Sequence, residues 1–426
     1  MGNEMWKKYY GDGVYSNNMG IENTCSKAND GYIISGNSSI FGENFQTSVM
    51  IYRFNSQFDT LWTRKYLTDT ISLAPYATVY CSGGGYAIAG TTKRDAETGE
   101  ILDKPKALLL RTDSDGNYLW HKTYGTTEYD DTFYKIVQTP DGGFLCGGAT
   151  QSYGSHTWDW YLVKTDANGN EEWHRTYGST NYDDGRIMGI TLTSDTSYII
   201  TGSKTISSTE DRPHLIKLNE NFVLEIDKIL PFPASSSLTA QVKEIENNQF
   251  IAIGSDRMNT NECTQTTLTK FNSELDIIWR QKYTVGDTTY TENYLFSVDT
   301  CSDGGYILGG WAAHNGQKLA LIKTDSLGCD GTDWWECSTG VMVNEFASNP
   351  EFYMYPNPAK QILTIIIPSF EGIQNTTVQI YNLTGKLVKS FPFGETEKGL
   401  KIETTDLQKG VYIVKVGEQM QKLVVE

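Results

Sequence analysis

Adjacent pairs of aspartates are the residues of this sequence best suited to chemistry. The pairs lie at the same place in two neighbouring copies of a repeat, and Glu292 lies at a similar place in a later copy. Carboxylates that converge can hold a cation or exchange protons with a substrate. The alternative is that they accept hydrogen bonds from loop backbone. The candidate cation-binding residues are Asp130, Asp131, Asp183 and Asp184.

Two acidic turns resemble fragments of calcium-binding loops. They read Asp-Ser-Asp-Gly-Asn at 113–117 and Asp-Ala-Asn-Gly-Asn at 166–170. Both lack the distal Glu that completes the coordination sphere in an EF-hand loop. An Asx turn, in which the Asp side chain accepts hydrogen bonds from the following backbone, explains the same residues. Calcium is therefore the one cofactor for which the sequence offers ligands. The Asx-turn explanation requires no cofactor.

Three tryptophans are candidates for ligand binding. Trp158 and Trp160 follow an insertion at 153–157, and Trp311 lies in the matching segment of a later repeat. An exposed indole can stack on a sugar ring or anchor a protein partner. Burial between packed sheets is the alternative. If the rings are exposed, a glycan or a surface protein is the expected ligand.

Other arrangements typical of catalysis are missing from the sequence. Of its five histidines, His121 and His174 directly follow the same repeat Trp, as structural residues would. The sequence lacks a His pair with zinc spacing, a Cys-x-x-Cys pair, a phosphate-binding glycine loop and a nucleophile elbow. No catalytic residue is predicted.

Charge and hydropathy exclude several classes of partner. The formal net charge is -17, which disfavours nucleic acid and anionic membrane surfaces. No apolar run approaches the ~20 residues of a membrane-spanning helix. Residues 1–4 lack the basic and apolar regions of a signal peptide, so an export signal is not expected within this sequence. Of the seven cysteines, Cys329 and Cys337 flank a short loop and are the candidate disulfide pair.

A repeat of about 54 residues must position these groups. Each copy combines a Gly-aromatic hairpin, an apolar strand, a polar turn and a Trp-led strand, most clearly at 141–148, 161–166 and Trp173. Short strands with frequent turns favour β structure, and stacking the copies radially covers their apolar faces. The sequence therefore predicts a six-bladed β-propeller. The hairpin aromatics are Tyr32, Tyr86, Phe144, Tyr198, Phe250 and Tyr306, with spacings of 54, 58, 54, 52 and 56 residues.

The ends of the repeat region predict a closed ring. A Trp-led strand at Trp6 has no copy before it, and the sixth copy ends at Asp325 without such a strand. The first strand is therefore expected to complete the last blade, with Trp334-Trp335 as a rival candidate. Over about residues 6–330 the repeat resembles the Gly-rich propeller repeats of many secreted bacterial proteins. That resemblance implies no activity.

A second domain follows the repeats. We expect the propeller to occupy 1–340, a linker 341–350, and a small immunoglobulin-like β-sandwich 351–426, where strand-like segments continue at short spacing. Four segments, at 355–358, 381–386, 407–412 and 422–425, match the motifs of the type A sorting domain of the type IX secretion system. Structural turns and strand starts could explain the same prolines and glycines. The motif residues are Pro356, Asn357, Pro358, Gly385, Lys386, Gly410, Tyr412, Lys422, Leu423 and Val424.

The sorting resemblance implies export across the outer membrane of a bacterium with two membranes, by the type IX machinery, to a secreted or cell-surface location. Two classes of function then compete for the propeller: a non-catalytic binding protein or adhesin, and a polysaccharide hydrolase or lyase that uses propeller carboxylates. A purely structural surface-layer role is a third hypothesis. Two carboxylates about 5–10 Å apart in one pocket would favour the enzyme, and scattered acids would favour binding.

Overall fold

The computed structural model describes most of the chain as β structure. Within the described residues the regular elements are strands and one turn of 3₁₀ helix at Glu246–Asn248. The all-β prediction is confirmed. The described residues are 16–19, 25–28, 30–40, 46–70, 73–94, 96–154, 156–178, 185–207, 210–230, 232, 237–257, 264–283, 292–313, 317–329, 353–355, 358–366, 377–382, 386–392, 400–416 and 419–425.

The repeats fold as successive antiparallel sheets. The first sheet has the order β1-β3-β4-β5, with β2 also pairing β3. The three sheets that follow each hold four strands in chain order. Their strands are β1 (Ser16–Met19), β2 (Cys25–Ala28), β3 (Gly31–Ile40), β4 (Gln46–Asn55), β5 (Thr60–Thr70), β6 (Leu73–Tyr80), β7 (Tyr86–Arg94), β8 (Ile101–Thr112), β9 (Tyr118–Tyr124), β10 (Asp131–Gln138), β11 (Phe144–Thr150), β12 (Asp159–Thr165), β13 (Glu171–Tyr177), β14 (Ile187–Leu192), β15 (Tyr198–Ser207), β16 (Glu210–Leu218) and β17 (Leu224–Ile229).

The last two repeats share one sheet. Its order is β18-β19-β20-β22-β23-β24, with β21 pairing β20, because Thr264 and Glu292 form a parallel pair between β20 and β22. The number of blades stays a prediction, and Trp6 and Trp334-Trp335 lie outside the described residues. The strands are β18 (Ser237–Ile245), β19 (Gln249–Arg257), β20 (Thr264–Phe271), β21 (Ile277–Tyr283), β22 (Glu292–Thr300), β23 (Tyr306–Ala313) and β24 (Gln317–Lys323).

The chain divides into two compact units. The first comprises residues 1–277, 282–299 and 308–321, and the second comprises 278–281, 300–307 and 322–426. The predicted linker at 341–350 lies outside the described residues. Cys329 is disulfide-bonded, and its predicted partner Cys337 also lies outside them.

Apolar faces of neighbouring sheets form the core of the first unit. One face of the third sheet, including Cys146 and Tyr161, packs with Ala87 and Leu109 of the second. The opposite face, including Leu145, packs with the fourth sheet in the same way. Successive residues along a strand point to opposite faces of the sheet. The strands of the third sheet therefore contribute side chains to the contacts with both neighbouring sheets.

The side chain of Lys164 stabilises the hairpin turns of the third sheet. Lys164 is fully buried, and its Nζ donates to the Thr165 carbonyl at 2.7 Å. It also forms ion pairs with Asp141 at 2.8 Å and with Glu172 at 2.9 Å. Partial burial works against ionisation of Asp141, but hydrogen bonds from Lys164 and its neighbours outweigh it and lower its pKa to about 2. The Asp of the Asp-Gly-Gly hairpin is thus a structural residue in this repeat.

Two small sheets enclose the core of the C-terminal region. They have the orders β25-β26-β29 and β28-β27-β30-β31. Leu363 from one sheet and Ile380, Val414 and Leu423 from the other belong to one buried cluster, so the two sheets form a β-sandwich. The strands are β25 (Tyr353–Tyr355), β26 (Ile362–Ile366), β27 (Thr377–Asn382), β28 (Leu387–Pro392), β29 (Leu400–Glu403), β30 (Gly410–Val416) and β31 (Gln419–Val425).

Candidate functional site

Asp131 and the acidic turn at 166–170 lie at opposite ends of the third sheet. Asp131 pairs with Thr150, and Thr150 pairs with Asp159, at one end. Phe144 pairs with Thr165 at the other end, and the acidic turn 166–170 follows directly. Asp131 and the Asx turn at 166–170 therefore cannot share one cation.

The acidic turns are Asx turns stabilised by their own backbone. Asp166 Oδ1 accepts hydrogen bonds from the backbone N–H groups of Asn168 and Asn170, both at 2.8 Å. Asn219 forms the same two bonds at the equivalent position of the fourth sheet. The neutral amide of Asn219 accepts the same two hydrogen bonds as the carboxylate of Asp166. The hydrogen bonds of the turn therefore do not depend on a bound cation. Within the described ranges, no group of three or more His, Cys, Asp or Glu side chains is placed to hold a metal ion.

Asp131 is a fully buried carboxyl group held by hydroxyls. Thr150 Oγ1 donates to its Oδ1 and Ser152 Oγ donates to its Oδ2. Burial, which penalises the charge, outweighs these hydrogen bonds and raises the pKa of Asp131 to about 6. The neighbouring Gly125 backbone leaves no room for a side chain beside this carboxyl group.

Of the remaining acids of the predicted pairs, the structure describes Asp130, which has a partner of its own. Asp130 is half-buried and forms an ion pair with Lys104, whose Nζ lies 3.5 Å from its Oδ1. Asp183 and Asp184 lie outside the described residues. Asp130 precedes β10, and its partner Lys104 differs from the hydroxyl partners of Asp131.

Trp160 is a core residue, which corrects its assignment as a candidate for ligand binding. Its side chain is fully buried, and its Nε1 donates to the Ser203 carbonyl of the next sheet at 2.8 Å. Its ring lies 4.5 Å from that of His214, which is also buried and bonds Asp227 at 2.7 Å. The physical reason is that strand alternation turns Trp160 into the space between two sheets, where no ligand can reach its face.

The other two candidate tryptophans are half-buried. Trp158 lies in the segment before β12, and Trp311 lies on β23. The Trp311 ring is 4.9 Å from the Tyr294 ring, so part of its surface contacts protein. Their role in binding stays a prediction.

A row of aromatic and cationic side chains, not predicted from the sequence, crosses the first strands of neighbouring sheets. The Tyr76 ring on β6 lies 4.8 Å from the Tyr134 ring on β10. The guanidinium carbon of Arg186, just before β14, lies 4.8 Å from the centre of the same Tyr134 ring. All three side chains are half-buried. We name Tyr76, Tyr134 and Arg186 the Tyr-Arg patch.

β-Bulges place the tyrosines of this patch. The pairing of β6 with β7 shifts between Pro75 and Ala77, and that of β10 with β11 shifts between Phe133 and Lys135. Tyr76 and Tyr134 are the extra residues, and a bulge re-aims such a side chain. An interruption of strict alternation in β6 and β10 was the available sequence signal.

The described sorting-motif residues occupy both buried and exposed positions of the C-terminal sandwich. Tyr412 pairs with Leu423 between β30 and β31, both side chains are buried, and the Tyr412 hydroxyl donates to the Gln408 carbonyl at 2.8 Å. Pro358, Lys386, Gly410 and Lys422 are exposed, and Val424 is half-buried. Pro356, Asn357 and Gly385 lie outside the described residues.

Known structures resemble this chain only distantly. The β-propeller domain of the Trilobed protease from Pyrococcus furiosus is 8% identical, with 96% of this chain and 97% of that chain covered and a TM-score of 0.39. An exo-β-1,3-galactanase from Phanerochaete chrysosporium is 10% identical, with 95% and 94% covered and a TM-score of 0.35. A polysaccharide lyase described as PL25 ulvan lyase is 10% identical, with 83% and 92% covered and a TM-score of 0.41. Similarity at this level says nothing about activity.

A family assignment exists for the C-terminal region. Residues 353–426 match the secretion system C-terminal sorting domain. No curated protein matches the chain. Among the residues that the structure describes, no helix is long and apolar enough to cross a membrane. Within its described residues the chain is thus an all-β protein, and its residues 353–426 match a secretion system C-terminal sorting domain, which implies type IX export to a secreted or cell-surface location.

Proposed function

We propose that this chain is a non-catalytic binding protein or adhesin of the bacterial surface, attached there after export through its sorting domain. The observation that carries the proposal is the contrast between its acids and its aromatics. Both oxygens of Asp131 accept hydroxyl hydrogen bonds, and Asp130 pairs with Lys104. The Tyr-Arg patch is half-buried instead, so part of each side chain is accessible to a ligand.

An array of glycans and surface proteins, probed with the full chain, tests this proposal. We expect binding to one class of ligand, unchanged by calcium, and no new reducing ends or unsaturated products after long incubation. Calcium-independence is expected because the Asx turns are satisfied by backbone N–H groups. Product formation at any calcium concentration would contradict the non-catalytic assignment.

A polysaccharide hydrolase or lyase is the second candidate function. One observation favours it: Asp131, with a pKa of about 6, lies in the same register row as Asp159, which is also buried. A carboxyl group tuned toward neutral pH is typical of general acids. If this candidate is right, Asp131→Asn abolishes product formation from a polysaccharide that the unmodified chain degrades, while binding persists.

A further inference from the structure

We propose that Lys270 is an acylation site, because among the described residues it lacks the carboxylate partners that hold the equivalent lysines of other repeats. The acyl donor is an activated ester or a thioester. The neutral Nζ attacks the carbonyl carbon and an N–C bond forms. The bond from that carbon to its oxygen or sulfur leaving group breaks, the nitrogen loses one proton, and an amide remains. This proposal does not depend on the proposed binding function.

One position of each repeat carries a cation. In the third and fourth sheets Lys164 and Lys217 pair in register with the residue that follows the hairpin aromatic. Lys270 pairs with Ile251 in the same way in the fifth repeat. We name this the cation position, and its residues are Arg53, Arg111, Lys164, Lys217, Lys270 and Lys323.

In four repeats the residue at the cation position pairs with an aspartate of its own hairpin. Lys323 Nζ, for example, lies 2.8 Å from Asp303 and donates to the Thr324 carbonyl at 2.7 Å. The second repeat has Arg111, a guanidinium that stays charged and donates to the Tyr86 carbonyl at 3.2 Å. The aspartate pairs are Arg53 with Asp30, Lys164 with Asp141, Lys217 with Asp195 and Lys323 with Asp303.

The fifth repeat lacks both carboxylates that pair with the lysine of the third repeat. Three residues before its hairpin aromatic, where the third repeat has Asp141, the sequence has Asn247. Directly before its Trp, where the third repeat has Glu172, the sequence has Ile278. Within the part of the chain that the structure describes, Lys270 accordingly forms no hydrogen bond and no ion pair.

The surroundings of Lys270 favour the neutral amine. Its side chain is half-buried, and Ile251, directly opposite on the neighbouring strand, is fully buried. Burial lowers the pKa of Lys270, because an ammonium group is less stable away from water. A larger share of neutral amine makes a lysine a better nucleophile. An acyl donor can reach part of this side chain, whereas Lys164 is fully buried at the same position of the third repeat.

Competitive acetylation of the full chain with a limiting amount of N-acetoxysuccinimide tests the proposal. Mass spectrometry of peptides gives the rate at each lysine, in the folded chain and in the chain unfolded by urea. Lys323 is the matched comparison, since it occupies the cation position and keeps its aspartate. We expect the folded-to-unfolded rate ratio of Lys270 to exceed that of Lys323 by at least about threefold. An equal or lower ratio for Lys270 would overturn the proposal.

Variants that exchange the carboxylates test the cause of this reactivity. Asn247→Asp restores the aspartate of the other repeats and should lower the rate at Lys270 toward that at Lys323. Asp303→Asn removes the partner of Lys323 and should raise the rate there. Asn168→Asp, in the exposed turn at 166–170, adds the same charge elsewhere and should leave Lys270 unchanged.

Thermal melting shows whether each variant is folded. If Asn247→Asp unfolds, the comparison of Lys270 with Lys323 in the unmodified chain decides the matter. If Asn247→Asp folds and leaves Lys270 as reactive as Asn168→Asp does, the missing carboxylate is not the cause, and the proposal fails. The array of glycans and surface proteins decides separately on the proposed function, whichever result is obtained here.

Discussion

The indole of Trp62 lies directly against the backbone of Gly116 in the next sheet. A Cβ atom on Gly116 would approach the Trp62 ring to 2.7 Å, and the Tyr66 hydroxyl donates to the Gly116 carbonyl at 2.6 Å. Trp120 and Tyr124 make the same contacts with Gly169 one repeat later. The Trp-x-x-x-Tyr strand of one repeat and the glycine turn of the next are therefore two halves of one contact between sheets.

Replacing Gly116 by Ala should destabilise the first unit by about 2–4 kcal/mol. The cost combines a positive φ of 76° with a steric clash against Trp62. Gly99→Ala is the control, because Gly99 has a φ of 72° but nothing within 4 Å of its added Cβ. Denaturant unfolding of both variants measures the difference. Equal losses would show that backbone strain alone matters and that the Trp62 contact does not.

Trp160→Ala should cost about 3–5 kcal/mol of stability, because it leaves a cavity between two sheets and an unpaired Ser203 carbonyl. Trp158→Ala, at a half-buried position two residues away, should cost much less. Thermal melting of the two single variants shows which of the two tryptophans belongs to the core. A comparable loss of melting temperature in both would contradict the assignment of Trp160 alone to the core.

Asp131 should make stability fall as the pH rises. Its folded pKa of about 6 lies above the unfolded value of about 3.9, so the folded state keeps its proton longer. The contribution is fully present below about pH 4 and is lost as the pH rises through about 6. Asp131→Asn should remove this slope, which amounts to at most about 3 kcal/mol. Unfolding curves between pH 4 and 7 give the slope, and parallel curves for both proteins would refute the shift.

Asp141 should act in the opposite sense. Its folded pKa of about 2 lies below the unfolded value of about 3.9, so its contribution is present above about pH 4 and disappears as the pH falls through 2. Asp141→Asn should lose less than about 1 kcal/mol at pH 7, because the Asp141 side chain is 57% exposed and water screens its pair with Lys164. Asp115→Asn, in the exposed turn at 113–117, controls for the change in net charge.

Removal of residues 351–426 should abolish surface display, since the sorting domain lies within them. The repeat region should keep its melting temperature, because the C-terminal sandwich has its own core around Leu363, Ile380 and Val414. Cell fractionation and melting of the truncated chain provide the two measurements. A truncated chain that still reaches the surface would contradict the role assigned to this domain.

The sequence by itself determined the strands, the repeat and the sorting domain. Strand alternation and turn residues act over a few neighbouring positions, so patterns such as Asp-Gly-Gly-Phe at 141–144 are readable without a structure. The motifs at 407–412 and 422–425 are local in the same sense, and the buried pair Tyr412 and Leu423 explains part of their pattern.

Only the tertiary structure decided which side chains a ligand can reach. Trp160 and Tyr134 are both aromatic residues on strands, yet one is sealed between sheets and the other stands half-exposed beside Arg186. Tyr134 is the extra residue of the β10 bulge and so departs from the regular alternation of its strand, whereas the neighbouring sheet covers Trp160. Pairing register and inter-sheet contacts join residues far apart in the chain, so no local pattern reports them.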